Sequence, residues 1–152
     1  MQFETFPTDE RHSVAATFHV QDHSQAIVIV SAHADAFNAA RRRIFTGDVV
    51  DWARNRPGGS LVFIGGDFNF ELKAKDQSQL YTDNVKNDGE AYSYALKYFR
   101  DLGRDAGYTA IDDRRIDYLF GPSESVVRRA EVLRNSSAGK MDHWPVLVEI
   151  SL

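Results

Sequence analysis

The chain has 152 residues, of which 43% are hydrophobic and 26% charged, and this length and composition are typical of one globular domain with a single sizeable core. It contains no cysteine, which excludes disulfides, thiolate catalysis and thiolate zinc sites. The formal net charge of -4 argues against tight, non-specific binding to nucleic acid, because such binding depends on Lys and Arg neutralising phosphates. The chemistry must therefore use His, Asp, Glu, Asn or hydroxyl groups.

Neither a membrane span nor a leader is predicted. No run approaches the roughly 20 apolar residues that a spanning helix needs. The opening MQFETFPTDERHS has no basic, apolar, small-residue pattern of the secretory kind. We therefore expect residues 1–152 to form a single domain, and the sequence assigns it no compartment.

The first half of the chain predicts a hairpin followed by a helix. Apolar and polar side chains alternate over residues 14–20, and the run AIVIVSAH at 26–33 is rich in β-branched residues, which predicts two strands that lead to His33. Residues 36–56 carry apolar side chains at helical spacing. Gly47 is predicted to interrupt this helix, and the sequence PGG is predicted to end it.

The second half predicts one buried strand, one helix and three further strands. The strand is LVFIGG at 61–66, and the polar stretch 71–90 after it predicts a long loop. Helical spacing of apolar residues predicts a helix over 90–106, with Asp88 as its cap and Gly107 as its end. The segments RIDYLF, SVVRRAEVLR and PVLVEISL predict strands. Strands that alternate with helices predict a layered α/β or α+β domain.

Arginines are concentrated in two parts of the sequence. Three are contiguous at Arg41 to Arg43, and five more lie in the C-terminal third: Arg114, Arg115, Arg128, Arg129 and Arg134. Charge runs of this kind usually form solvated faces. Contact with phosphates is the alternative for Arg41 to Arg43.

Polar residues stand at the ends of several predicted strands. They are His33 in SAH, Asp67 and Asn69 in GGDFN, Asp117 in RRIDYLF, and Asp142 and His143 in MDHWPV. Each of these motifs alone is weak evidence for a functional site, because a histidine after a strand often has a structural partner and an aspartate in a strand often pairs with an arginine. The glycines before Asp67 either permit a bend or let the backbone approach a bound phosphate. The signal lies in the order of all four motifs.

This order, H then G-D-x-N then R-x-D-Y then D-H-x-P, resembles the endonuclease/exonuclease/phosphatase superfamily of metal-dependent phosphodiesterases over residues 14–151. The resemblance implies a layered α/β (α+β) sandwich of that type, with mixed, mostly antiparallel sheets flanked by helices. Family members carry an upstream segment with a metal-binding glutamate, which implies that the chain is an N-terminally truncated, C-terminal portion. The usual serine or threonine before Asp142 is Met141 here.

The resemblance also implies roles for the motif residues. His143 is the catalytic histidine, and Asp117 is the carboxylate that holds its imidazole. Asp67 orients or activates the attacking water, or contacts the leaving oxygen. Asn69 and His33 donate hydrogen bonds to phosphate oxygens. Hydrolysis of a phosphodiester places negative charge on those oxygens, so it needs donors, a positioned base and a hard cation.

The implied cofactor is Mg²⁺, with Mn²⁺ or Ca²⁺ as alternatives, and Asp142 is the residue expected beside it. Mg²⁺ is usually held by one or two carboxylates together with waters and the substrate phosphate. Glu4, Asp9 and Glu10 are possible substitutes for the upstream glutamate, but their spacing does not recommend them. We therefore expect the isolated chain to bind a divalent metal weakly.

The leading functional interpretation is a metal-dependent phosphodiester hydrolase of the deoxyribonuclease-like, endonuclease type. The segment SAHADAFNAARRRI resembles the corresponding stretch of that branch, which includes the nuclease subunit of cytolethal distending toxins. Alternatives are a phosphatase or sphingomyelinase-type member acting on a small or lipid phosphate ester, and an inactive remnant that binds phosphate ligands or a partner. Half of a sandwich would expose an apolar sheet face, so a homodimer, or cover by the missing N-terminal segment, is also expected.

Overall fold

The computed structural model describes residues 1–21, 24–72, 84–135 and 142–151, and these residues form eight strands and two helices. In chain order the elements are β1 (Gln2–Thr8), β2 (Arg11–His19), β3 (Ala26–His33), α1 (Ala39–Arg54), β4 (Leu61–Asp67), α2 (Asn84–Ala95), β5 (Arg100–Asp101), β6 (Asp117–Gly121), β7 (Val126–Val132) and β8 (Val146–Ser151). The predicted hairpin, the helix after it, the buried strand and the three C-terminal strands are confirmed.

The described strands form one six-stranded sheet, in the order β1-β2-β3-β4-β6-β5, and a separate pair, β7-β8. β3 and β4 are parallel, whereas the other neighbouring pairs are antiparallel. α1 connects β3 to β4 and so provides the crossover that a parallel pair requires. The predicted α/β (α+β) class with mixed, mostly antiparallel sheets is confirmed. Within the described residues, no helix is long and apolar enough to cross a membrane.

Both helices cover the same face of the six-stranded sheet. The buried core takes Val28 and Val30 from β3, Val62 and Ile64 from β4, Phe120 from β6, Phe45, Val49 and Val50 from α1, and Ala91 and Ala95 from α2. Phe68 and Phe70, directly after β4, are buried in this core as well. The Phe68 ring lies edge-on to that of Phe120, with ring centroids 5.3 Å apart. The two phenylalanines therefore anchor the chain on either side of Asn69.

α1 is a single helix, so the predicted interruption at Gly47 is wrong. Asn38 caps the helix, because its side-chain oxygen accepts a hydrogen bond of 3.0 Å from the Arg41 amide. A Cβ on Gly47 would meet nothing within 4 Å, which shows that this glycine lies on the open side of the helix. Burial of the residues around it, including Phe45 and Val49, stabilises the helix across the glycine.

The second helix lies earlier than predicted. α2 spans Asn84–Ala95, so part of the predicted loop over 71–90 is helical; residues 73–83 lie outside the described part of the chain. Beyond Ala95 the chain turns and forms β5 beside β6, with the Leu102 amide donating to the Leu119 carbonyl at 2.8 Å. Phe99 and Leu102, two of the apolar residues assigned to the helix, are thus buried beside this edge of the sheet. Asp88 is not a cap, because it lies inside α2.

The face of the sheet opposite the helices is apolar and exposed near β1, β2 and β3. Ala16 pairs in register with Phe3 on one side and Ile29 on the other, so the three residues share one face. Phe3 is 68% exposed and Ile29 is 46% exposed. Val14, on the same strand as Ala16 and two residues from it, is 43% exposed. Contiguous exposed apolar surface favours association.

We expect the chain to self-associate through this face. Val14→Thr combined with Ile29→Thr keeps the β-branched shape and removes apolar area. The dissociation constant of the self-associated chain should therefore rise about tenfold or more. Sedimentation velocity over a protein concentration series measures it. Ile44→Thr is the control, because Ile44 is 52% exposed on α1. A monomeric parent chain, or equal weakening by the control, would contradict the prediction.

Candidate active site

Three of the predicted site residues lie side by side at one end of the sheet. His33 ends β3 and pairs in register with Asp67, which ends β4. Asp67 pairs in turn with Asp117, which begins β6. The His33 Nε2 atom lies 3.8 Å from Asp67 Oδ2, with the His33 ring mostly exposed and Asp67 largely buried. The strand order thus gathers residues that are far apart in the sequence.

The turn after β4 shapes the Asp67 side of the site. Gly66 has φ of 146°, and a Cβ on it would lie 1.9 Å from the Ala32 carbonyl oxygen. This glycine therefore permits close approach of β4 to β3. Asn69 has φ of 52°, and its amide donates a 2.8 Å hydrogen bond to Asp67 Oδ1. The Asn69 side-chain Nδ2 donates to the Ala34 carbonyl at 3.4 Å.

His143 and Asp117 form a hydrogen-bonded pair. The Nδ1 atom of His143 lies 2.9 Å from Asp117 Oδ2, and both side chains are partly buried. The backbone of His143 forms an isolated antiparallel β-bridge with Ala110, and the Trp144 amide donates to the Thr109 carbonyl at 2.8 Å. The chain before β8 is therefore fixed against residues 109–111.

Thr109 also fixes the other half of the pair. Its hydroxyl oxygen lies 3.1 Å from the amides of Ile116 and Asp117, and it accepts from both. Its carbonyl holds the Trp144 amide next to His143. Thr109 thus supports both members of the histidine–aspartate pair. Sequence reasoning missed it because a lone threonine, here between Tyr108 and Ala110, carries no spacing signal.

The charges in the cluster act on one another. Burial raises the pKa of Asp67 above its ordinary value, and the charge of Asp117 raises it further. The hydrogen bond from the Asn69 amide and the nearby histidines lower this pKa and only partly offset the rise. Burial lowers the pKa of His143, but the hydrogen bond to Asp117 and the charges of Asp117, Asp67 and Asp142 outweigh it, so the pKa is raised. The site therefore favours a charged imidazole that donates from Nδ1 to Asp117.

The same cluster contains residues that could hold a metal ion. Asp67, Asp117 and His143 each offer a ligand atom, and these atoms lie within 4.8 Å of one another. Asp117 Oδ2 is hydrogen-bonded to His143, and Asp67 Oδ1 accepts from the Asn69 amide, so one oxygen of each carboxylate is already engaged. The carboxylates of Asp67 and Asp117 are hard oxygen donors of the kind that Mg²⁺ takes together with waters and phosphate, so the donor set fits a partly caged divalent cation.

Asp142 lies beside the cluster but outside it. Its carbonyl accepts a 3.0 Å hydrogen bond from the Ile111 amide, and the residue is exposed. Its charge acts on His143, as the raised pKa of that ring records. Met141, the residue that departs from the family motif, lies outside the described part of the chain. A role of Asp142 in metal binding stays a prediction.

The possible substitutes for the upstream glutamate are paired with arginines. Glu4 accepts from Arg56 at 2.8 Å, and Asp9 and Glu10 both pair with Arg41. These ion pairs neutralise the charges of the three carboxylates. They do not support the possibility, left open by the sequence, that one of these residues replaces the upstream glutamate as a metal ligand.

The contiguous arginines have three different environments. Arg42 is enclosed between the helices, so neither the expected solvated face nor the alternative of contact with phosphates holds for it. Arg41 pairs with acidic residues of the β1–β2 turn, and Arg43 pairs with Glu90. An arginine that the sequence did not single out lies nearer the site. Arg11 donates to the His33 carbonyl at 3.2 Å and remains about half exposed.

Comparison with known proteins places this geometry in a known fold. No protein-family model and no curated protein sequence matches the chain. An endonuclease/exonuclease/phosphatase from Beutenbergia cavernae superposes with a TM-score of 0.71 at 22% identity, over 93% of this chain and 39% of that one. The chain has the endonuclease/exonuclease/phosphatase fold. The fold predicted from the four motifs is thereby confirmed.

Two further solved structures share the endonuclease/exonuclease/phosphatase fold. One is a protein of that description from Bacteroides vulgatus, with a TM-score of 0.69 at 20% identity over 93% of this chain and 56% of that one. The other is a mannosyl-6-phosphatase from Bacteroides thetaiotaomicron, with a TM-score of 0.58 at 22% identity over 93% of this chain and 57% of that one. The chain thus spans from 39% to 57% of the length of these three structures.

Proposed function

We propose that this chain supplies the catalytic residues of a metal-dependent phosphodiester hydrolase whose substrate is nucleic acid, cleaved in the manner of a deoxyribonuclease-like endonuclease. The observation that carries the proposal is the 2.9 Å hydrogen bond between His143 Nδ1 and Asp117 Oδ2, with Asp67 next to both. A histidine oriented by a carboxylate is suited to general acid–base catalysis. The fold shared with endonuclease/exonuclease/phosphatase structures supports phosphoester chemistry.

The mechanism follows from the positions of the side chains. Asp117 holds the His143 ring through Nδ1, which leaves Nε2 as the ring atom that binds the phosphate or exchanges a proton with a reacting oxygen. The Asp67 carboxylate, fixed by the Asn69 amide, orients the attacking water. Asn69 and His33 donate to the non-bridging oxygens, where negative charge develops as the bond to the leaving oxygen breaks.

Asp67 and Asp117, which offer carboxylate oxygens within 4.8 Å of each other, are the residues that would hold a divalent cation, with Asp142 beside it as the family resemblance implies. Mg²⁺ is the first choice, with Mn²⁺ and Ca²⁺ as alternatives, because carboxylates are hard oxygen ligands. When bound, the cation supplies positive charge that neutralises the phosphate oxygens. The exposed carboxylate of Asp142 next to His143 supports this assignment.

We expect the 152-residue chain alone to bind Mg²⁺ weakly and to hydrolyse phosphodiesters slowly or not at all. A strongly hydrated Mg²⁺ held by few protein carboxylates gains little for the waters it releases, so a dissociation constant on the order of 1 mM is expected. Calorimetric titration measures the affinity. Cleavage of plasmid DNA and of bis(p-nitrophenyl) phosphate, with and without EDTA, measures the activity. Micromolar affinity with robust, EDTA-sensitive turnover would show that the metal cage is complete in this chain.

A phosphatase acting on a small phosphate ester is the second candidate. The mannosyl-6-phosphatase that shares the fold supports it, as does the engagement of Arg41, Arg42 and Arg43 in ion pairs, which limits contact with a long phosphate backbone. Comparing p-nitrophenyl phosphate with its bis-ester separates monoester from diester chemistry. Preference for the monoester would favour this candidate. The third possibility is an inactive remnant. Phosphate binding without turnover of either ester, by the metal-loaded chain completed with the upstream segment that the family resemblance implies, would favour it.

A further inference from the structure

A fully buried ion pair joins the two helices. Arg42 on α1 is 1% exposed and Asp88 on α2 is 0% exposed. The Nε and Nη2 atoms of Arg42 donate to Oδ1 and Oδ2 of Asp88, and both distances are 2.8 Å. Removing two charges from water is costly, and apolar residues of similar volume often pack as well or better. Helix packing alone therefore does not account for the pair.

The remaining polar groups of the pair reach the two chain segments that carry site residues. Arg42 Nη1 donates to the Asp35 carbonyl at 3.2 Å, and the Glu71 amide donates to Asp88 Oδ2 at 2.9 Å. Asp35 follows His33 by two residues, and Glu71 follows Asn69 by two residues. The pair is thus hydrogen-bonded to the chain just beyond the ends of β3 and β4.

Those two segments are also bonded to each other inside the site. The Ala34 amide donates to the Asp67 carbonyl at 2.9 Å. The Asn69 side chain donates back to the Ala34 carbonyl, and its amide donates to the Asp67 carboxylate. A continuous hydrogen-bonded network therefore runs from the buried pair, through segments 33–35 and 67–71, to Asp67.

We propose that Arg42 and Asp88 are positioning residues, which fix segments 33–35 and 67–71 relative to each other so that His33, Asp67 and Asn69 share one ligand site. The inference deepens the proposed function, on which it rests. The planar guanidinium is essential to it, because two parallel hydrogen bonds to the carboxylate leave a third donor in a fixed direction toward the Asp35 carbonyl. A lysine cannot reproduce that fork.

The neighbouring pair Arg43–Glu90 provides a matched control. It also joins α1 to α2, but its side chains are 52% and 44% exposed. The double variant Arg42→Met with Asp88→Leu replaces the buried pair by apolar residues of similar size. The double variant Arg43→Met with Glu90→Leu makes the same change at the surface.

The test is amide hydrogen exchange followed by NMR on the full chain. We expect the buried-pair variant to lose protection about tenfold or more at the Ala34 and Asn69 amides, which donate to Asp67 and not to either residue of the pair. Protection of Val30 and Ile64 in the strands should stay unchanged, and the control variant should alter none of the four. Unchanged protection at Ala34 and Asn69 in a folded buried-pair variant would overturn the proposal.

Arg42→Lys keeps the test decisive if the buried-pair variant fails to fold. This variant retains the charge and loses the fork, so Ala34 and Asn69 should lose protection in it as well; native protection at both would overturn the proposal. Titration with inorganic phosphate separates the two hypotheses. Positioning predicts at least tenfold weaker phosphate binding in the buried-pair variant. If the parent binds no phosphate even at saturating Mg²⁺, while Ala34 and Asn69 still lose protection in the buried-pair variant, the proposed function fails and the positioning role stands.

Discussion

Replacing His143 with Ala is expected to reduce phosphodiester hydrolysis about 100-fold or more in a metal-loaded form completed by the upstream segment that the family resemblance implies, because the group that binds the phosphate and exchanges protons is removed. Asp117→Asn keeps the shape of the side chain and removes the charge that orients the ring, so a loss of about the same size is expected. Initial rates with bis(p-nitrophenyl) phosphate measure both. His19→Ala is the control. Arg11 lies beside the site at the start of β2, and His19 lies at the opposite end of that strand.

The double variant should be little worse than either single variant, because the two side chains act as one hydrogen-bonded unit. Additive losses would show that the residues work independently. The imidazole Nδ1 proton gives a readout that does not require turnover. Its downfield NMR signal should be present in the parent chain and absent in Asp117→Asn. Near-parental rates in either single variant would refute the assignment.

The sequence singles out the candidate site residues by two signals, which are polar side chains at or near strand ends and an order of motifs that resembles a known family. Their assembly depends on something that the sequence did not specify, which is the adjacency of β3, β4 and β6 in the sheet. The register then sets His33 beside Asp67 and Asp67 beside Asp117. Strand-end chemistry is a local signal, whereas strand order is fixed by packing of the whole domain.

The missed features depend on contacts between distant parts of the chain. Asp88 was interpreted as a helix cap because aspartate favours that position, yet its partner Arg42 lies 46 residues away. The sequence analysis predicts no strand over the residues of β1, and Pro7 within them argues against one. Proline is tolerated there because β1 lies at the edge of the sheet. Local preference was overridden by tertiary context in both cases.

Gly66→Ala is expected to cost about 3 kcal/mol or more of the free energy of unfolding. The new Cβ would lie 1.9 Å from the Ala32 carbonyl oxygen, and that oxygen is backbone of the neighbouring parallel strand, so it cannot move without disturbing β3. The φ of 146° adds strain, because residues with a Cβ avoid this region. Chemical denaturation monitored by circular dichroism measures the loss.

Gly47→Ala is the matched control and should act in the opposite direction. Gly47 lies inside α1 with nothing within 4 Å of an added Cβ, and alanine favours the helix by about 1 kcal/mol over glycine. Both variants add the same methyl group, so the difference between them isolates the approach of β4 to β3. If Gly66→Ala left the stability unchanged, the two strands would not be closely apposed at this point. The placement of Asp67 beside His33 would then lose its structural basis.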